Sequence, residues 1–455
     1  MRFIYADSLD VVDPGYDFVK DSNSLGRKPY WDDLYPHEIL DRAPYKGMLI
    51  SRAIVGGHAV GGKYSEAQAM RLRRVGARAF LRLDRDGLRD LPIFGDCGAF
   101  SYHKEALPPY SSEDTAAFYD DVGFTHGCSV DHIIFENDES VSGLNGGSPE
   151  SRERYDITLA NAETFLRATA PMRARFTPLG VIQGWSPPSM AEAARRLVAM
   201  GYDYLAVGGT VPLKTPQLRA CVAAIRDAIP AATRLHVLGF ARADEIASFT
   251  NFAITSFDTA SPMIRAFKDA AKNYYLPNGD GSLRYYTAIR VPQALENNRL
   301  MGLVKQGALR QEELVALEKA ALGALRRYDK NDADLNETLD AVLAYSVPAT
   351  LGAPIERLPG SKSVGTLRER YYRTLAERPW TQCRCKICRT ASIEVIIFRA
   401  SNRNKRRGMH NMTVFDGLVD GLELKGNQDV DPTLFGDPSP PERAASSPLI
   451  CSARL

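Results

Sequence analysis

Several common features are absent from this 455-residue sequence, and each absence excludes a class of protein. There is no run of about 18 apolar residues, so an ordinary transmembrane helix is not expected. The N-terminus, Met-Arg-Phe-Ile-Tyr-Ala-Asp, lacks the basic start, apolar stretch and small-residue cleavage site of a signal peptide. We therefore expect a soluble, cytoplasmic protein with no membrane partner.

An excess of one charge is also absent. The chain has 57 basic and 55 acidic residues, which excludes a uniformly basic protein that coats nucleic acid. Any site for a polyanion must therefore be local. The length allows two or three domains, or one barrel with insertions.

Disulfide patterning is absent as well, although the chain has seven cysteines. Four are scattered without the pairing pattern of a secreted protein: Cys97, Cys128, Cys221 and Cys451. The other three, with one histidine, have the spacing of zinc ligands: Cys383, Cys385, Cys388 and His410. Four protein ligands fill a tetrahedral site and leave no position for a catalytic water, so the spacing predicts a structural zinc ion. The alternative is a chance cluster of free thiols.

Eight short apolar runs lie between Met48 and Asp258, and most are separated by segments with helical patterning. The runs cover residues 48–55, 78–83, 92–96, 132–136, 179–184, 204–209, 236–240 and 253–258. Alternating strands and helices predict parallel βα units, and near-continuous apolar strands fit a sheet covered on both faces. Eight units predict an α/β fold, a (β/α)8 TIM barrel, although the interval 84–91 is too short for a full helix.

Composition and patterning divide the chain into five predicted segments. These are an N-terminal extension (1–45), the catalytic barrel (46–282), a helical region (283–378), a zinc-binding segment (379–425) and a flexible tail (426–455). Residues 283–350 have the apolar spacing of helices, whereas the tail is rich in Asp, Pro and Gly. The helical and zinc-binding segments together form the predicted C-terminal subdomain.

Polar residues and glycines follow several of the apolar runs. They are Asp96, Glu136, Gln183, Gly184, Gly208, Gly209, Gly239 and Asp258. In a TIM barrel the carboxyl ends of the strands surround one mouth, so we expect two carboxylates from distant strands to face a common pocket. Glycine allows a flat ligand to approach the backbone, and Gln183 offers a donor and an acceptor to a heterocycle.

Five motifs, taken in order, resemble those of the tRNA-guanine transglycosylase superfamily. They are GDCGAF (95–100), GVIQG (180–184), AVGG (206–209), SFDTAS (256–261) and the CxCxxC motif with its histidine. The opening segment, residues 5–17, is similar to the DpdA (deoxypurine in DNA protein A) branch of that superfamily. The resemblance implies exchange of guanine in DNA for a 7-deazaguanine such as preQ0. It also implies DNA, guanine and proteins of a DNA modification system as partners.

The resemblance also implies roles for the two aspartates. Asp258 matches the family's nucleophile, which forms a glycosyl ester with C1′ of the sugar. Asp96 matches the acid/base that protonates the departing guanine and deprotonates the incoming base. Two carboxylates that share one site push their pKa values apart, which suits this division of roles. The alternative is that each aspartate only caps the helix that follows its strand.

The implied base pocket follows from the same motifs. Phe100 would stack on the purine with Leu238 opposite. The residues expected at the polar edge of the base are Cys97, Gln183, Gly184, Gly208 and Gly209. We prefer Glu136 to the nearby Asp138 as the carboxylate that reads the purine. The alternative is that both are solvated loop acids.

A basic cluster in the zinc-binding segment is the candidate DNA-binding surface. It consists of Arg403, Lys405, Arg406 and Arg407, which would contact phosphates without regard to sequence. The alternative is an ordinary solvated charge run. Extrusion of the target base from the duplex is an implied step, for which Trp31, Trp185 and Tyr102 are candidate wedges, although such residues more often lie in a core.

Three hypotheses remain from the sequence. The first is an enzyme that inserts a 7-deazaguanine into DNA, and it is favoured by residues 5–17. The second is a tRNA-guanine transglycosylase of the queuine or archaeosine type. The third is a non-catalytic paralogue that binds nucleic acid, and the presence of both Asp96 and Asp258 argues against it.

Overall fold

A closed barrel of eight parallel strands forms the body of the protein in a computed structural model, which describes residues 1–56, 63–240 and 243–428. The strands are β1 (Arg2–Ala6), β2 (Met48–Ser51), β3 (Ile93–Asp96), β4 (His126–Cys128), β5 (Thr177–Ile182), β6 (Tyr204–Val207), β7 (Arg234–Val237) and β8 (Ser256–Thr259). Each strand pairs with its neighbour in sequence, and β1 pairs with β8 to close the barrel. The predicted TIM-barrel class is therefore confirmed.

Two of the eight strands differ from those predicted. The run 78–83, predicted as a strand, lies at the end of a helix. The eighth strand of the barrel is instead β1, which was not predicted. Residues 1–45, predicted as an extension, thus contribute the first strand of the barrel. The run 132–136 is an irregular loop that follows the true strand, β4. The predicted tail lies mostly in residues 429–455, outside the described part of the chain.

Helices cover the outer face of the barrel. They are α1 (Pro36–Ile39), α2 (Arg52–Val55), α3 (Glu66–Phe80), α4 (Ser112–Val122), α5 (Pro149–Ala168), α6 (Pro187–Met200), α7 (Thr215–Ala228) and α8 (Ser261–Lys268). A 3-10 segment, Ala243–Phe252, takes the place of a helix between β7 and β8. Ser111, Ser148 and Ser186 each accept a hydrogen bond from a backbone N–H of the first turn of α4, α5 and α6, which fixes where these loops become helices.

The C-terminal region is mostly helical. Its elements are β9 (Tyr274–Pro277), β10 (Leu283–Tyr286), β11 (Ile289–Arg290), α9 (Asn298–Lys305), α10 (Gln311–Asp329), α11 (Leu335–Leu351), α12 (Lys362–Glu377), α13 (Pro379–Gln382), α14 (Lys386–Ala391), β12 (Ile397–Phe398) and α15 (Ser401–Gln428). Phe415 of α15 packs edge-on against Phe3 of β1 and Phe257 of β8. The last described helix therefore covers the seam at which the barrel closes. No helix in the described ranges is both long and apolar enough to cross a membrane.

The side chains inside the barrel form an apolar layer and a polar layer. Apolar groups form one cluster inside the strands, with Ile4, Leu49, Phe94 and Leu179 among its buried members. Above it, towards the carboxyl ends of the strands, the interior becomes polar. The change in polarity places charged groups at one mouth of the barrel, as expected for this fold.

Candidate active site

A cavity of about 170 Å³ opens at the carboxyl end of the barrel strands. Its lining residues are Leu49, Asp96, Ala99, Phe100, Asp131, Ile133, Gln183, Gly208, Gly209, Thr210, Val211, Leu238, Gly239 and Asp258. Three carboxylates, from β3, β8 and the loop after β4, thus face one space. The predicted pair Asp96 and Asp258 is brought together, and a third acid joins it.

Asp258 is held in one orientation near the carboxyl end of β8. Its Oδ1 atom accepts a hydrogen bond from the Gly239 N–H at 3.0 Å and lies 3.1 Å from Nε2 of His236. Its side chain is only 9% exposed. Among the described residues, Oδ2 has no hydrogen-bond partner. The carboxylate therefore has one anchored oxygen and one oxygen available to a ligand in the cavity.

His236 is a site residue that the sequence reasoning missed. The ring is fully buried, and its Nδ1 lies 2.6 Å from Oγ of Ser256, which in turn lies 2.6 Å from the Tyr204 hydroxyl. Phe94 stacks on the imidazole. A line of polar groups thus runs from Tyr204 to Asp258 and fixes the imidazole orientation. The signal was available, because His236 lies two residues before Leu238 and alternate strand residues share a face.

Asp96 occupies the carboxyl end of β3. Its pKa is raised from 3.8 to about 7, mainly by burial and also by the negative charges of Asp131 and Asp258, whereas a hydrogen bond with Ser51 opposes the shift. A carboxyl group with this pKa is protonated in a large fraction of molecules near neutral pH. Asp96 can therefore both donate and accept a proton under physiological conditions.

Asp131 is the second residue that the sequence reasoning missed. It is 2% exposed, and burial raises the pKa of its carboxyl group. Oδ1 accepts a hydrogen bond from the Cys97 thiol at 3.0 Å, and Oδ2 accepts one from the Gln183 amide at 2.6 Å. Tyr102 donates to the Asp131 carbonyl oxygen at 2.9 Å. Both carboxylate oxygens are thus oriented by neutral donors, and no cation in the described residues forms an ion pair with them.

Glu136 lies outside the cavity, which corrects the prediction that it reads a base. Its Oε2 atom accepts hydrogen bonds from the Ser148 N–H at 2.9 Å and the Ser151 hydroxyl at 2.6 Å, so it caps the start of α5. Asp138 bonds to the N–H and hydroxyl of Ser140 in the same loop. The physical reason is the strand error described above. Because β4 ends at Cys128, Asp131 and not Glu136 lies at the strand end.

Some of the remaining predicted pocket residues line the cavity, and others lie behind its lining. Phe100, Gln183, Gly208, Gly209 and Leu238 line the cavity. A Cβ atom at Gly208 would lie 2.3 Å from Nε2 of Gln183, and Gly209 has a φ of +67°, so both positions require glycine.

Cys97 and Gly184, which were predicted to contact the base, lie behind the residues that line the cavity. The Cys97 thiol is fully buried and supports Asp131 from outside the cavity lining. Gly184 packs against Ser189 and Met190 of α6, which explains the absence of a side chain there. Neither residue lines the cavity, which corrects their assignment to direct base contact.

A second cluster joins the four predicted metal ligands at the C-terminal region. The ligand atoms of Cys383, Cys385, Cys388 and His410 all lie within 4.8 Å of one another. Nδ1 of His410 lies 3.3 to 3.5 Å from the three sulfur atoms. Standard zinc bond lengths in a tetrahedron imply a nitrogen–sulfur separation of about 3.5 Å. The donor set therefore fits a metal ion.

Strand β9 orients His410, the candidate histidine ligand. Nε2 of His410 lies 2.8 Å from the Tyr275 carbonyl oxygen in β9, which places the proton on Nε2 and leaves Nδ1 free as a ligand. Tyr274 stacks on the imidazole at 4.0 Å between ring centroids. The metal cluster thus joins β9, the α13–α14 segment and α15.

The predicted DNA-binding cluster points into the protein, which corrects that assignment. Arg403 and Arg407 are fully buried and Arg406 is 4% exposed. Lys405 donates to the carbonyl oxygens of Leu9 and Val11 at 3.0 and 3.1 Å.

The arginines have similar internal partners. Arg406 donates to the Asp13 carbonyl oxygen at 2.7 Å, and Arg407 donates to that of Ala266 at 2.6 Å. Arg403 pairs with Glu394 at 2.7 Å and also with Asp21. Arg403, Lys405 and Arg406 thus join α15 to the segment between β1 and β2, and Arg407 joins it to α8. With these internal partners the four side chains are not available to phosphates.

Comparison with known proteins agrees with the geometry of the cavity. A DNA-guanine transglycosylase from Salmonella montevideo is 41% identical to this chain over 417 residues, which cover 91% of this chain and 95% of that protein. No model of a known protein family matches the chain. The chain therefore belongs to the same family as that DNA-guanine transglycosylase.

Proposed function

We propose that this protein exchanges guanine in DNA for a 7-deazaguanine base, preQ0, through a glycosyl-aspartate intermediate. The observation that carries the proposal is the meeting of Asp96, Asp131 and Asp258 in one cavity at the barrel mouth. The relative's name supports DNA as the substrate. Residues 5–17 support assignment to the DpdA branch, and with it partner proteins of a DNA modification system.

The first half of the proposed reaction removes guanine. Oδ2 of Asp258 attacks C1′ of the deoxyribose, the C1′–N9 bond breaks, and its electron pair passes to the base. The proton of Asp96 neutralises the departing guanine. The pKa of Asp96, about 7, keeps a proton available for this step near neutral pH.

The second half inserts the new base by the reverse movement of atoms. The base nitrogen attacks C1′, its proton passes to the Asp96 carboxylate, and the ester bond to Asp258 breaks with its electron pair returning to the carboxylate. His236 and the Gly239 N–H hold Oδ1 through both halves. Anchoring one oxygen keeps the other directed at the sugar, which favours attack by positioning.

Asp131 is the proposed reader of the base. Guanine and preQ0 share adjacent N–H donors on one edge, and a carboxylate held in a fixed plane can accept both. The Cys97 thiol and the Gln183 amide provide that fixed orientation. Phe100 and Leu238 line the same cavity and are placed to contact the flat faces of the base.

The test is exchange of a labelled base. The purified protein is incubated with labelled guanine or labelled preQ0 and either plasmid DNA or bulk tRNA. We expect label in DNA with both bases. Label in tRNA alone would identify a tRNA enzyme, and label in neither, with intact nucleic-acid binding, would identify the non-catalytic paralogue.

The metal ion is proposed to be zinc with a structural role. All four ligands come from the protein, so no coordination position remains for substrate. Metal analysis of the purified protein should give one zinc per chain, and Cys388→Ser should lower both the zinc content and the melting temperature. A fully stable, zinc-free Cys388→Ser protein would contradict this role.

A further inference from the structure

Exposed apolar side chains surround the mouth of the cavity. Phe100 is 58% exposed and Phe135 is 38% exposed on one side, and Val211, a cavity-lining residue, is 58% exposed. Phe100, His103 and Phe135 contact one another through their rings and are called here the aromatic collar. Their ring centroids are 5.4 to 6.2 Å apart, with Phe135 edge-on to both partners. A cluster of exposed aromatic rings, unlike a single exposed apolar residue, marks a contact surface.

The collar is held rigidly by the loops that carry it. Arg154 of α5 donates to the carbonyl oxygens of His103 and Ile133, both at 2.7 Å, and so joins the β3–α4 loop to the β4–α5 loop. Nδ1 of His103 lies 2.8 Å from the Phe100 carbonyl oxygen. These bonds oppose collapse of the rings into the cavity, so the collar presents a preformed surface to a partner.

Two other aromatic side chains, Trp185 and Tyr102, are unsuited to this role. Trp185 is 3% exposed and donates from its indole nitrogen to the Asn145 carbonyl oxygen. Tyr102 is 1% exposed and donates to the Asp131 carbonyl oxygen. Both were sequence-based wedge candidates, and both belong to the core. Phe135, in contrast, is exposed, contacts the cavity-lining ring of Phe100 and does not itself line the cavity.

The position of the collar identifies its partner. A base inside the cavity must leave the helical stack, and its departure exposes the faces of the neighbouring bases. Aromatic side chains stack on bases of any identity, because every base has a π face. We propose that Phe135 and His103 stack on the bases next to the extruded guanine and so stabilise the opened duplex. This inference rests on the proposed function and adds to it the means by which double-stranded DNA is opened.

The test compares two forms of one DNA substrate. Exchange of labelled guanine is measured with a guanine-containing strand alone and with the same strand in a duplex, for the wild type and Phe135→Ala. We expect the substitution to lower kcat/KM at least about tenfold with the duplex and less than about threefold with the single strand. Phe135→Trp should restore most of the duplex activity. Tyr372→Ala, which removes a 48% exposed aromatic ring on α12, is the matched control and should leave both activities unchanged.

Each other outcome overturns the inference. An equal fall with both substrates would mean that Phe135 shapes the cavity, and no change with either would assign the collar to another partner, such as a protein. The wild type with single-stranded DNA tests the proposed function by itself. Wild-type exchange together with an unaffected Phe135→Ala variant therefore refutes the collar alone. A thermal melt of each variant shows that the fold is kept.

Discussion

Two of the regions that contain buried acidic groups have opposite surroundings. Where α15 meets the β1–β2 segment, Asp21, Glu318 and Glu394 each lie 2.5 to 2.7 Å from an arginine nitrogen. In the cavity, Asp96 and Asp131 have no lysine or arginine partner among the described residues, and Asp258 has only His236. The acids of the first region are each paired with arginine, whereas those of the cavity have no arginine or lysine partner among the described residues.

The difference separates structure from chemistry. A buried ion pair that loses one partner is strongly destabilised, so the junction depends on its arginines. Unpaired buried carboxylates cost stability and are retained where their shifted pKa values serve a reaction. A buried acid that is paired with arginine thus indicates a structural role in the first region. A buried acid without a cationic partner indicates a catalytic role in the cavity.

The largest expected effect is at the nucleophile. Asp258→Asn should lower base exchange by about 10⁴-fold or more, because the amide cannot form the glycosyl ester. The amide oxygen can still accept from the Gly239 N–H, so the melting temperature should change little. Exchange assays and mass spectrometry of the trapped intermediate measure the effect. Asp203→Asn, at an exposed position before β6, is the control, and an active Asp258→Asn enzyme would refute the assignment.

The next largest effect is on stability, where α15 meets the segment between β1 and β2. Arg403→Ala should lower the free energy of unfolding by about 3–5 kcal/mol, because Asp21 and Glu394 would lose a buried partner. Arg389→Ala removes an exposed pair with Asp41 and should cost about 0–1 kcal/mol. Urea denaturation measures both. A stable Arg403→Ala protein that loses DNA affinity would instead restore the sequence-based assignment of this residue to DNA.

A smaller effect is expected where the base is read. Asp131→Asn should raise KM for guanine about tenfold to a hundredfold, because a hydrogen bond to a charged group contributes about 1.5–3 kcal/mol. Glu136→Gln is the matched variant and should leave KM unchanged, since Glu136 caps α5. Steady-state kinetics with labelled guanine decide between them. The reverse pattern would show that Glu136 reads the base.

The smallest effect concerns stability and pH at Asp96. Its folded-state pKa of about 7 exceeds the ordinary value of 3.8, so the folded protein binds this proton more tightly than the unfolded chain does. Ionising the buried Asp96 carboxyl group therefore lowers the free energy of unfolding. This loss of stability is absent below about pH 4, grows as pH rises, and is complete above about pH 7. Asp96→Asn should raise the melting temperature by a few degrees at about pH 8 and little at about pH 4. Asp138→Asn, whose lowered pKa has the opposite sign, should give no such gain.

The sequence predicts the barrel class because parallel strands buried on both faces are apolar throughout, as in Tyr204–Val207. It fails at β4, where His-Gly-Cys carries little strand signal beside the strongly apolar run 132–136. That one displacement moved the expected carboxylate from Asp131 to Glu136. Register, and not residue type, was therefore the missing information.

Composition also cannot separate an exposed basic residue from a buried one. The density of basic residues in the zinc-binding segment predicts that Arg403, Lys405, Arg406 and Arg407 contact DNA, yet these side chains point into the protein. The helical spacing carried a contrary signal, since Arg403, Arg407 and His410 lie three or four residues apart and share one face. His410, a candidate metal ligand, is expected to face inward, and the two arginines on the same face are accordingly buried.

The position of α15 has a consequence for biosynthesis. The first strand of the barrel, Arg2–Ala6, is synthesised long before α15, yet Phe415 on that helix packs against Phe3 of the strand. Until β8 and α15 have been synthesised, β1 lacks the strand that pairs with it and the helix that packs on its outer surface. Closure and covering of the barrel must therefore wait until β8 and α15 have both been synthesised. Nascent chains released before His410 should be targets for chaperones and proteases.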